Sequence, residues 1–351
     1  MIEIRSMNWQ RLKATFVGFL GVFLILGLIL NAVGLESLLL ELSSANSRIL
    51  LLVALSTLGW LATWGIGLRK ILGVLDSKPS YAKSFFIING AMFFNNVTPF
   101  GQAGGEPVTA LLISKVAKTN YERSLATIST MDSLNFLPSV SLAIVGTGYY
   151  ATQATFEFGA YLLIPVVVIL VLILASVGYI AWKKRDVLER VVARGVTSVV
   201  NSVLRLVPKA TLLDESTVRS RIENFTNSIE TIMTDRKSIA LALTAATLGW
   251  VFQMIALWLS FLALEVSIPL SIALFVVPLG ATAGVTPLPG GAGSIEAVLI
   301  GVLSSLLVPV VSGGTIAAAV LIYRGAVYII PVAIGGIFAS IVGVSSIQNT
   351  T

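Results

Sequence analysis

Residues 97–106 and 285–296 decide the fold of this chain, and they read VTPFGQAGGE and VTPLPGGAGSIE. Both stretches open with Val-Thr-Pro, pass through Ala-Gly and end on a glutamate, Glu106 in the first and Glu296 in the second. Each lies between apolar segments, where proline and glycine are tolerated only if the freed backbone groups face protein or a water-filled cavity. A duplicated helix break of this kind is typical of transporters with a substrate site at the bilayer midplane.

The composition is that of a polytopic membrane protein. Of the 351 residues, 56% are hydrophobic and 11% are charged, with a net charge of +6. The sequence has no cysteine and no histidine, which excludes disulfides, thiolate or histidine metal sites and histidine-dependent hydrolases. We therefore expect no cofactor and no metal. We attribute the positive charge to cytoplasmic loops and not to a nucleic-acid-binding surface.

Apolar runs of about 20 residues predict an all-α polytopic fold with six spanning helices. Between the second and third spans, and again between the fifth and sixth, the apolar runs are too short to cross a bilayer. We therefore expect a re-entrant hairpin in each place. The predicted spans are 14–31, 49–68, 124–150, 159–182, 239–263 and 315–342, and the predicted hairpin arms are 84–97, 107–118, 270–284 and 296–310.

Lysine and arginine residues predict the orientation in the cell membrane. Arg5, Arg11 and Lys13 precede the first span, which lacks a signal-peptide cleavage site, so we expect a cytoplasmic N-terminus. With six crossings, the C-terminus is also expected in the cytoplasm. Lys83 and Lys115 flank the first hairpin, which should enter from the cytoplasm, whereas the second hairpin has no flanking lysine or arginine and should enter from outside.

The two halves of the chain also match outside the glycine-rich motifs. The triplet Leu-Gly-Trp occurs at 58–60 and again at 248–250. A proline lies inside the third and the sixth predicted spans, at Pro138 and Pro331. Together with the glutamates, these matches keep the same order at a nearly constant offset, which indicates an internal repeat.

We predict one transmembrane domain over 1–351. It contains repeat 1 at 49–150, a cytoplasmic linker at 183–238 and repeat 2 at 239–342. Apolar residues at helical spacing in the linker predict two amphipathic helices, which either pack on the bundle or sense lipid. Because the flanking charges orient the two copies oppositely, we expect an inverted-topology repeat, which suits alternating access.

The residues around the breaks form the candidate substrate site. Prolines end the first helix of each hairpin, glycines allow the turn, and a new helix should begin near Glu106 or Ser294. The unpaired N–H groups of these helix starts favour an anion such as a lipid phosphate. The alternative is a tight hairpin with no ligand. The candidate residues are Asn96, Thr98, Pro99, Gly101, Gly104, Gly105, Glu106, Thr286, Pro287, Pro289, Gly290, Gly291, Gly293, Ser294 and Glu296.

Four charged residues lie at membrane depth. Glu106 and Glu296 either cap their helices or gate the site by taking a proton or pairing with a cation. Asp132 and Arg324 lie near the middle of the third and sixth spans, at matching positions of the repeats. We expect them to form a buried ion pair, which is either a static bridge or one in which Arg324 exchanges Asp132 for substrate phosphate.

The chain resembles the lysylphosphatidylglycerol synthase transmembrane-region family over about residues 10–342. The resemblance is carried by residues 98–106, by residues 287–296, and by the span that contains Tyr323-Arg324 and Pro331. The resemblance implies lipid translocation, with flipping of aminoacylated phosphatidylglycerol in the two-domain bacterial members and a link to polyisoprenyl-phosphate sugars in some archaeal relatives. The chain ends shortly after the last predicted span, so we expect no aminoacyl transfer. Thr109 stands near a position where many relatives have a basic residue.

The favoured hypothesis is a non-enzymatic lipid flippase that moves an anionic phospholipid or a polyisoprenyl-phosphate-linked sugar by alternating access. One alternative is a small-solute secondary transporter of the same architecture. Another is a membrane enzyme acting on polyisoprenyl phosphates, against which stand the lack of histidine and of an Asp-x-Asp pair. The expected partner is thus a membrane lipid or lipid-linked sugar, and not a nucleic acid.

Overall fold

The structure, a computed structural model, describes residues 35–98, 101–153, 215–284, 286, 288–308 and 310–348. In these residues it is helical, with no strand. The predicted spans 14–31 and 159–182, most of the linker, Pro99 and Pro287 lie outside them. The described helices are α1 (Leu35–Ser44), α2 (Ser47–Val74), α3 (Tyr81–Val97), α4 (Gln102–Ala117), α5 (Tyr121–Gln153), α6 (Glu215–Thr234), α7 (Arg236–Leu262), α8 (Leu270–Thr282), α9 (Ser294–Leu307) and α10 (Gly313–Gln348), with a 3-10 turn at Pro289–Gly291 before α9.

Several of these helices have the length and composition of membrane spans. Four of the predicted spans coincide with such stretches. A further stretch, Pro289–Leu307, falls in the predicted second hairpin and joins the 3-10 turn to α9. The chain is therefore a multi-pass membrane protein, whereas the number of crossings and the re-entrant hairpins stay predictions. The stretches among the described residues are Ser47–Val74, Tyr121–Tyr149, Arg236–Leu262, Pro289–Leu307 and Gly313–Gly343.

Helices α2 and α7 pack together along most of their length and run in opposite directions. At one end of the pair, the N–H of Asn46 donates to the carbonyl of Ala263 at 2.8 Å. Further along, the Trp64 indole lies directly against Gly249, where a side chain would overlap the ring. Gly249 is the middle residue of the second Leu-Gly-Trp triplet, so the glycine makes room for a buried tryptophan.

Helices α5 and α10 also run in opposite directions. The start of α5 lies at the end of α2, where Arg123 Nη1 donates to the carbonyl of Leu75 at 3.4 Å. The start of α10 lies near the opposite end of the bundle, because Thr315 Oγ1 donates to Glu41 Oε1 at 2.8 Å and α1 leads directly into α2. The long helices of one half thus run opposite to those of the other, which supports an inverted repeat.

Both ends of the first predicted hairpin lie at the same end of the bundle. Ser77, just before α3, donates from its hydroxyl to the carbonyl of Ala117, the last residue of α4, at 2.7 Å. With 17 residues, α3 is about 25 Å long, which is shorter than the hydrocarbon core of a bilayer. This geometry agrees with a segment that enters and returns on one side.

The two halves are held together by two matching pairs of packed helices. The first hairpin helix of each half packs on the last long helix of the other half, α3 on α10 and α8 on α5. Glycines allow the close approach: a Cβ at Gly146 would lie 2.6 Å from the Cβ of Leu274, and a Cβ at Gly335 would overlap the carbonyl of Asn89. Gly146 and Gly335 occupy matching positions in the predicted repeats, so this packing also supports the internal symmetry.

The described part of the linker is an amphipathic helix, α6, that packs on the start of α5. Its apolar residues Val218 and Ile232 are buried, and Arg221 Nη1 bonds Glu122 Oε1 at 3.0 Å. The apolar face is therefore used within the bundle. Asp235 follows α6 and caps α7, and hydrogen bonds from the N–H and hydroxyl of Ser238 hold the pKa of Asp235 below its usual value.

Candidate functional site

The first break separates α3 from α4. The Thr98 hydroxyl closes the end of α3 by donating to the carbonyl of Phe94 at 2.6 Å. Gly101 then caps α4 with φ +53° and ψ −119°, a conformation that glycine adopts far more easily than other residues. Helix α4 begins at Gln102, earlier than expected, so Gly104, Gly105 and Glu106 lie in its first turns and not in the break.

Gly105 has a packing role in place of the expected turn. A Cβ at Gly105 would overlap the side chain and backbone of Asn95 on α3. Gly105 therefore lets α4 approach the end of α3 closely. Glycine serves close helix contacts as well as turns, and the sequence pattern alone does not separate the two uses.

The second break separates α8 from α9. Gly290, Gly291 and Gly293 have φ of +58°, +63° and +85°, so each adopts a conformation that favours glycine. Helix α9 begins at Ser294, as predicted. The Ser294 hydroxyl lies 2.8 Å from the carbonyl of Ala283 and 3.1 Å from the Thr286 hydroxyl, which ties the loop to the end of α8.

The two breaks lie in contact with each other. A Cβ at Gly101 would lie 3.6 Å from the carbonyl of Gly284, and a Cβ at Gly291 would lie 2.8 Å from the Cα of the same residue. Gly290 in turn packs against Asn96, with 2.5 Å between a Cβ at Gly290 and Asn96 Oδ1. The structure thus brings together residues of both motifs that the sequence predicted as one site.

Arg324 extends from α10 to the second break. Its Nε donates to Glu296 Oε1 at 2.7 Å, and its Nη2 donates to the carbonyl of Gly290 at 3.3 Å. The other carboxylate oxygen of Glu296 accepts the N–H of Gly293 at 2.6 Å. The side chains of Arg324 and Glu296 are 11% and 9% exposed. Glu296 is therefore both the cap of α9 and the partner of a buried cation.

The expected Asp132–Arg324 ion pair is wrong. The carboxyl of Asp132 lies within side-chain hydrogen-bonding reach of Gln102 and Glu106 on α4, and Arg324 pairs with Glu296. The reason is packing, because α5 lies on α4 and α10 lies on α9. Each long helix brings its charge to the glutamate of its own half, so one half holds an ion pair and the other holds two acids.

Sequence reasoning missed Tyr328. Its hydroxyl donates to the backbone carbonyl of Asn96 at 3.1 Å, and its ring lies 5.7 Å from the guanidinium carbon of Arg324. Tyr328 follows Arg324 by one helical turn, so spacing along α10 was the available signal. The tyrosine links the last long helix to the first break, while Arg324 links it to the second.

A family model described as the lysylphosphatidylglycerol synthase TM region matches residues 15–335, a range that contains both breaks, Asp132 and Arg324. The chain belongs to this family. Membership in the lysylphosphatidylglycerol synthase TM family confirms the resemblance seen in the motifs, and it agrees with the apolar helices of a multi-pass membrane protein.

Two relatives match most of the chain. A "UPF0104 membrane protein" of Methanothermobacter thermautotrophicus is 26% identical over 299 residues, which cover 83% of this chain and 84% of the relative. "UPF0104 membrane protein MJ1595" of Methanocaldococcus jannaschii is 23% identical over 302 residues, which cover 85% of each chain. The similarity therefore spans both halves of the fold.

Proposed function

We propose that this protein translocates a membrane lipid with an anionic headgroup, an anionic phospholipid or a polyisoprenyl-phosphate-linked sugar, by alternating access and without chemical conversion. The observation that carries the proposal is the meeting of both helix breaks with Arg324. Gly101 and Gly291 approach the same residue, Gly284, and Arg324 bonds Gly290 and Glu296 in the second break. Convergence of two breaks on one point is the geometry of a midplane substrate site.

Arg324 is the group that would hold the headgroup phosphate. A guanidinium has five N–H donors, and the described contacts engage its Nε and one Nη2 donor. The remaining donors suit phosphate oxygens, which arginine binds in a two-pronged arrangement. Tyr328 and Asn96 border the same place, and the side-chain amide of Asn96 can donate to a further headgroup oxygen.

Phosphate can bind Arg324 only in competition with the carboxylate of Glu296. Its carboxylate occupies the start of α9, which would otherwise attract the anion, and neutralises Arg324. A phosphate therefore competes with Glu296 for Arg324, and Glu296 keeps its bond to Gly293 when the arginine turns away. The Arg324–Glu296 ion pair therefore acts as a gate. It breaks when Arg324 binds the anion and forms again when the anion leaves.

The arrangement of the two halves supports the transport cycle. The long helices of the halves run in opposite directions, and the first hairpin helix of each half packs on the last long helix of the other half. Inverted repeats give inward-open and outward-open states of similar energy, because exchanging the conformations of the halves converts one state into the other. Translocation by such a cycle needs no nucleophile and no metal.

The test is reconstitution into liposomes with fluorescent lipids, scored with a membrane-impermeant quencher. Wild type should expose labelled phosphatidylglycerol or polyisoprenyl phosphate faster than labelled phosphatidylcholine. Arg324→Gln should abolish the difference, Arg324→Lys should retain part of it, and Arg219→Gln on the exposed face of α6 should leave it unchanged. Lack of translocation of every lipid by wild type would overturn the proposal and favour transport of a small organic anion.

A further inference from the structure

The two halves place matching helices against each other but not matching charges. In the second half, Glu296 near the start of α9 faces Arg324 of the following long helix at 2.7 Å. In the first half, Glu106 near the start of α4 faces Asp132 of the following long helix. The position that supplies a fixed cation in one half thus supplies a second carboxyl group in the other.

The two acids lie among further buried oxygens without partners. Oδ2 of Asp132 is buried and accepts no hydrogen bond in the described part of the chain. Thr109, three residues after Glu106 on α4, is 0% exposed, and Asn135, three residues after Asp132 on α5, is 6% exposed. The hydroxyl of Thr109 and the side-chain oxygen of Asn135 also lack partners among the described residues. Residues three apart share a helix face, so these groups border the acid pair.

The charged and polar groups that act on Asp132 belong to α4. The carboxyl of Asp132 interacts electrostatically with Glu106 and hydrogen-bonds with the side chains of Gln102 and Glu106. Helix α8 has no charged residue, and Arg324 of α10 is held by Glu296. The other charged or titratable residues on α4, α5 and the helices packed on them are Arg48, Arg69, Lys70, Tyr81, Lys83, Lys115, Tyr121, Glu122, Arg123, Tyr149, Glu215, Arg219, Arg221, Glu223, Glu230, Arg236, Lys237, Tyr323 and Tyr328.

We propose that Glu106 and Asp132 bind one exchangeable proton between them, and that this proton is the ion coupled to transport. Two carboxyl groups within hydrogen-bonding reach form that bond only if one of them carries a proton. The Thr109 hydroxyl and the Asn135 oxygen supply a further donor and acceptor next to the pair. The coupling part of this inference rests on the proposed function, whereas the proton site itself does not.

Coupling follows from the position of the pair beside the breaks. Asn95 at the end of α3 packs on Gly105, next to Glu106, and the adjacent Asn96 packs on Gly290, which Arg324 bonds. The acid pair and the arginine therefore flank the same short segment. Loss of the proton leaves two carboxylates that repel each other and any anion near Arg324. Uptake of the proton removes one of those charges, so an anionic headgroup and a proton bind together.

Infrared difference spectroscopy of the purified full-length protein tests the site without any transport assay. At neutral pH, wild type should show the carbonyl band of a protonated carboxyl group. The band should be lost in Asp132→Asn and in Glu106→Gln, which are close in size to the native residues. It should persist in the control Glu230→Gln, which changes an exposed carboxylate on α6.

The outcomes of these experiments distinguish the proton site from its alternatives. A wild-type protein without the band, or a band that persists in both variants, overturns the proton site. Thermal stabilisation of wild type by Na⁺ that is lost in Asp132→Asn, with no protonated band, would assign a sodium ion in its place. If Asp132→Asn does not fold, the loss or persistence of the band in Glu106→Gln decides whether the proton site exists. In liposomes, a pH gradient should drive wild-type translocation, and a band without any translocation would reject the proposed function and keep the proton site.

Discussion

Arg324 donates from Nε to Glu296 Oε1 at 2.7 Å, while Oε2 of the same carboxylate accepts the N–H of Gly293 at 2.6 Å. One carboxylate thus joins the last long helix to the start of α9. Both charged side chains are about nine-tenths buried, and buried charges need such paired contacts because the interior does not solvate them.

Removing one partner of this pair should destabilise the protein. Arg324→Gln leaves the carboxylate of Glu296 buried without its cation, and Glu296→Gln leaves the guanidinium without its anion. We expect each to cost about 3–5 kcal/mol of unfolding free energy, measured by denaturant unfolding in detergent. The double variant should cost less than the sum, because neither charge is then left alone. Additive single effects would contradict an energetic coupling between the two side chains.

The glycine contacts between the halves should be sensitive to a single methyl group. Gly146→Ala places a Cβ 2.6 Å from Leu274, so we expect a loss of about 1–3 kcal/mol. Gly335→Ala should behave alike, because its Cβ would overlap Asn89. Gly148→Ala is the matched control on the same helix, where nothing lies within 4 Å of the new Cβ, and it should leave stability unchanged or raise it slightly. Equal effects of Gly146→Ala and Gly148→Ala would reject the role of close packing.

The glycines that begin α4 and α9 should be sensitive for a different reason, which is backbone conformation. Gly101 and Gly293 have φ of +53° and +85°. A side chain at either position is strained, so Gly101→Ala and Gly293→Ala should each cost on the order of 1–3 kcal/mol. Gly301→Ala, inside α9 with nothing within 4 Å of its Cβ, is the control and should not destabilise. Thermal unfolding in detergent distinguishes the three variants.

Much of this architecture could be predicted because it rests on local patterns. The long apolar helices, the start of α9 at Ser294 and the inclusion of Arg324 in the site follow from run length, glycine chemistry and an unusual charge at membrane depth. Each of these signals lies within a short segment of the chain.

The partners of Asp132 and Arg324 could not be predicted in the same way. Matching depths made the two residues look like a pair, but depth does not say which helix lies between them. That choice depends on α5 packing on α4 and α10 packing on α9, which is a long-range property. The packing glycines Gly146 and Gly335 were missed although their matching positions were visible, because a lone glycine in a long apolar helix has no local signature.

Cysteine labelling should show whether the hairpins return to the side from which they start. The sequence has no cysteine, so single substitutions at exposed positions report without background. Lys78→Cys and Asn120→Cys flank the first hairpin and should react with a membrane-impermeant thiol reagent from the same side, because Ser77 is bonded to Ala117 across the hairpin ends.

Ser267→Cys and Val310→Cys flank the second hairpin and should both react from the opposite side. The physical reason is the charge pattern: lysines and arginines surround the first hairpin, whereas the second has none, and basic residues stay in the cytoplasm. Reaction of the Lys78 and Asn120 variants from different sides would mean that 81–117 crosses the membrane. In that case the two breaks could not reach the midplane from opposite faces, and the inverted repeat would lose its topological basis.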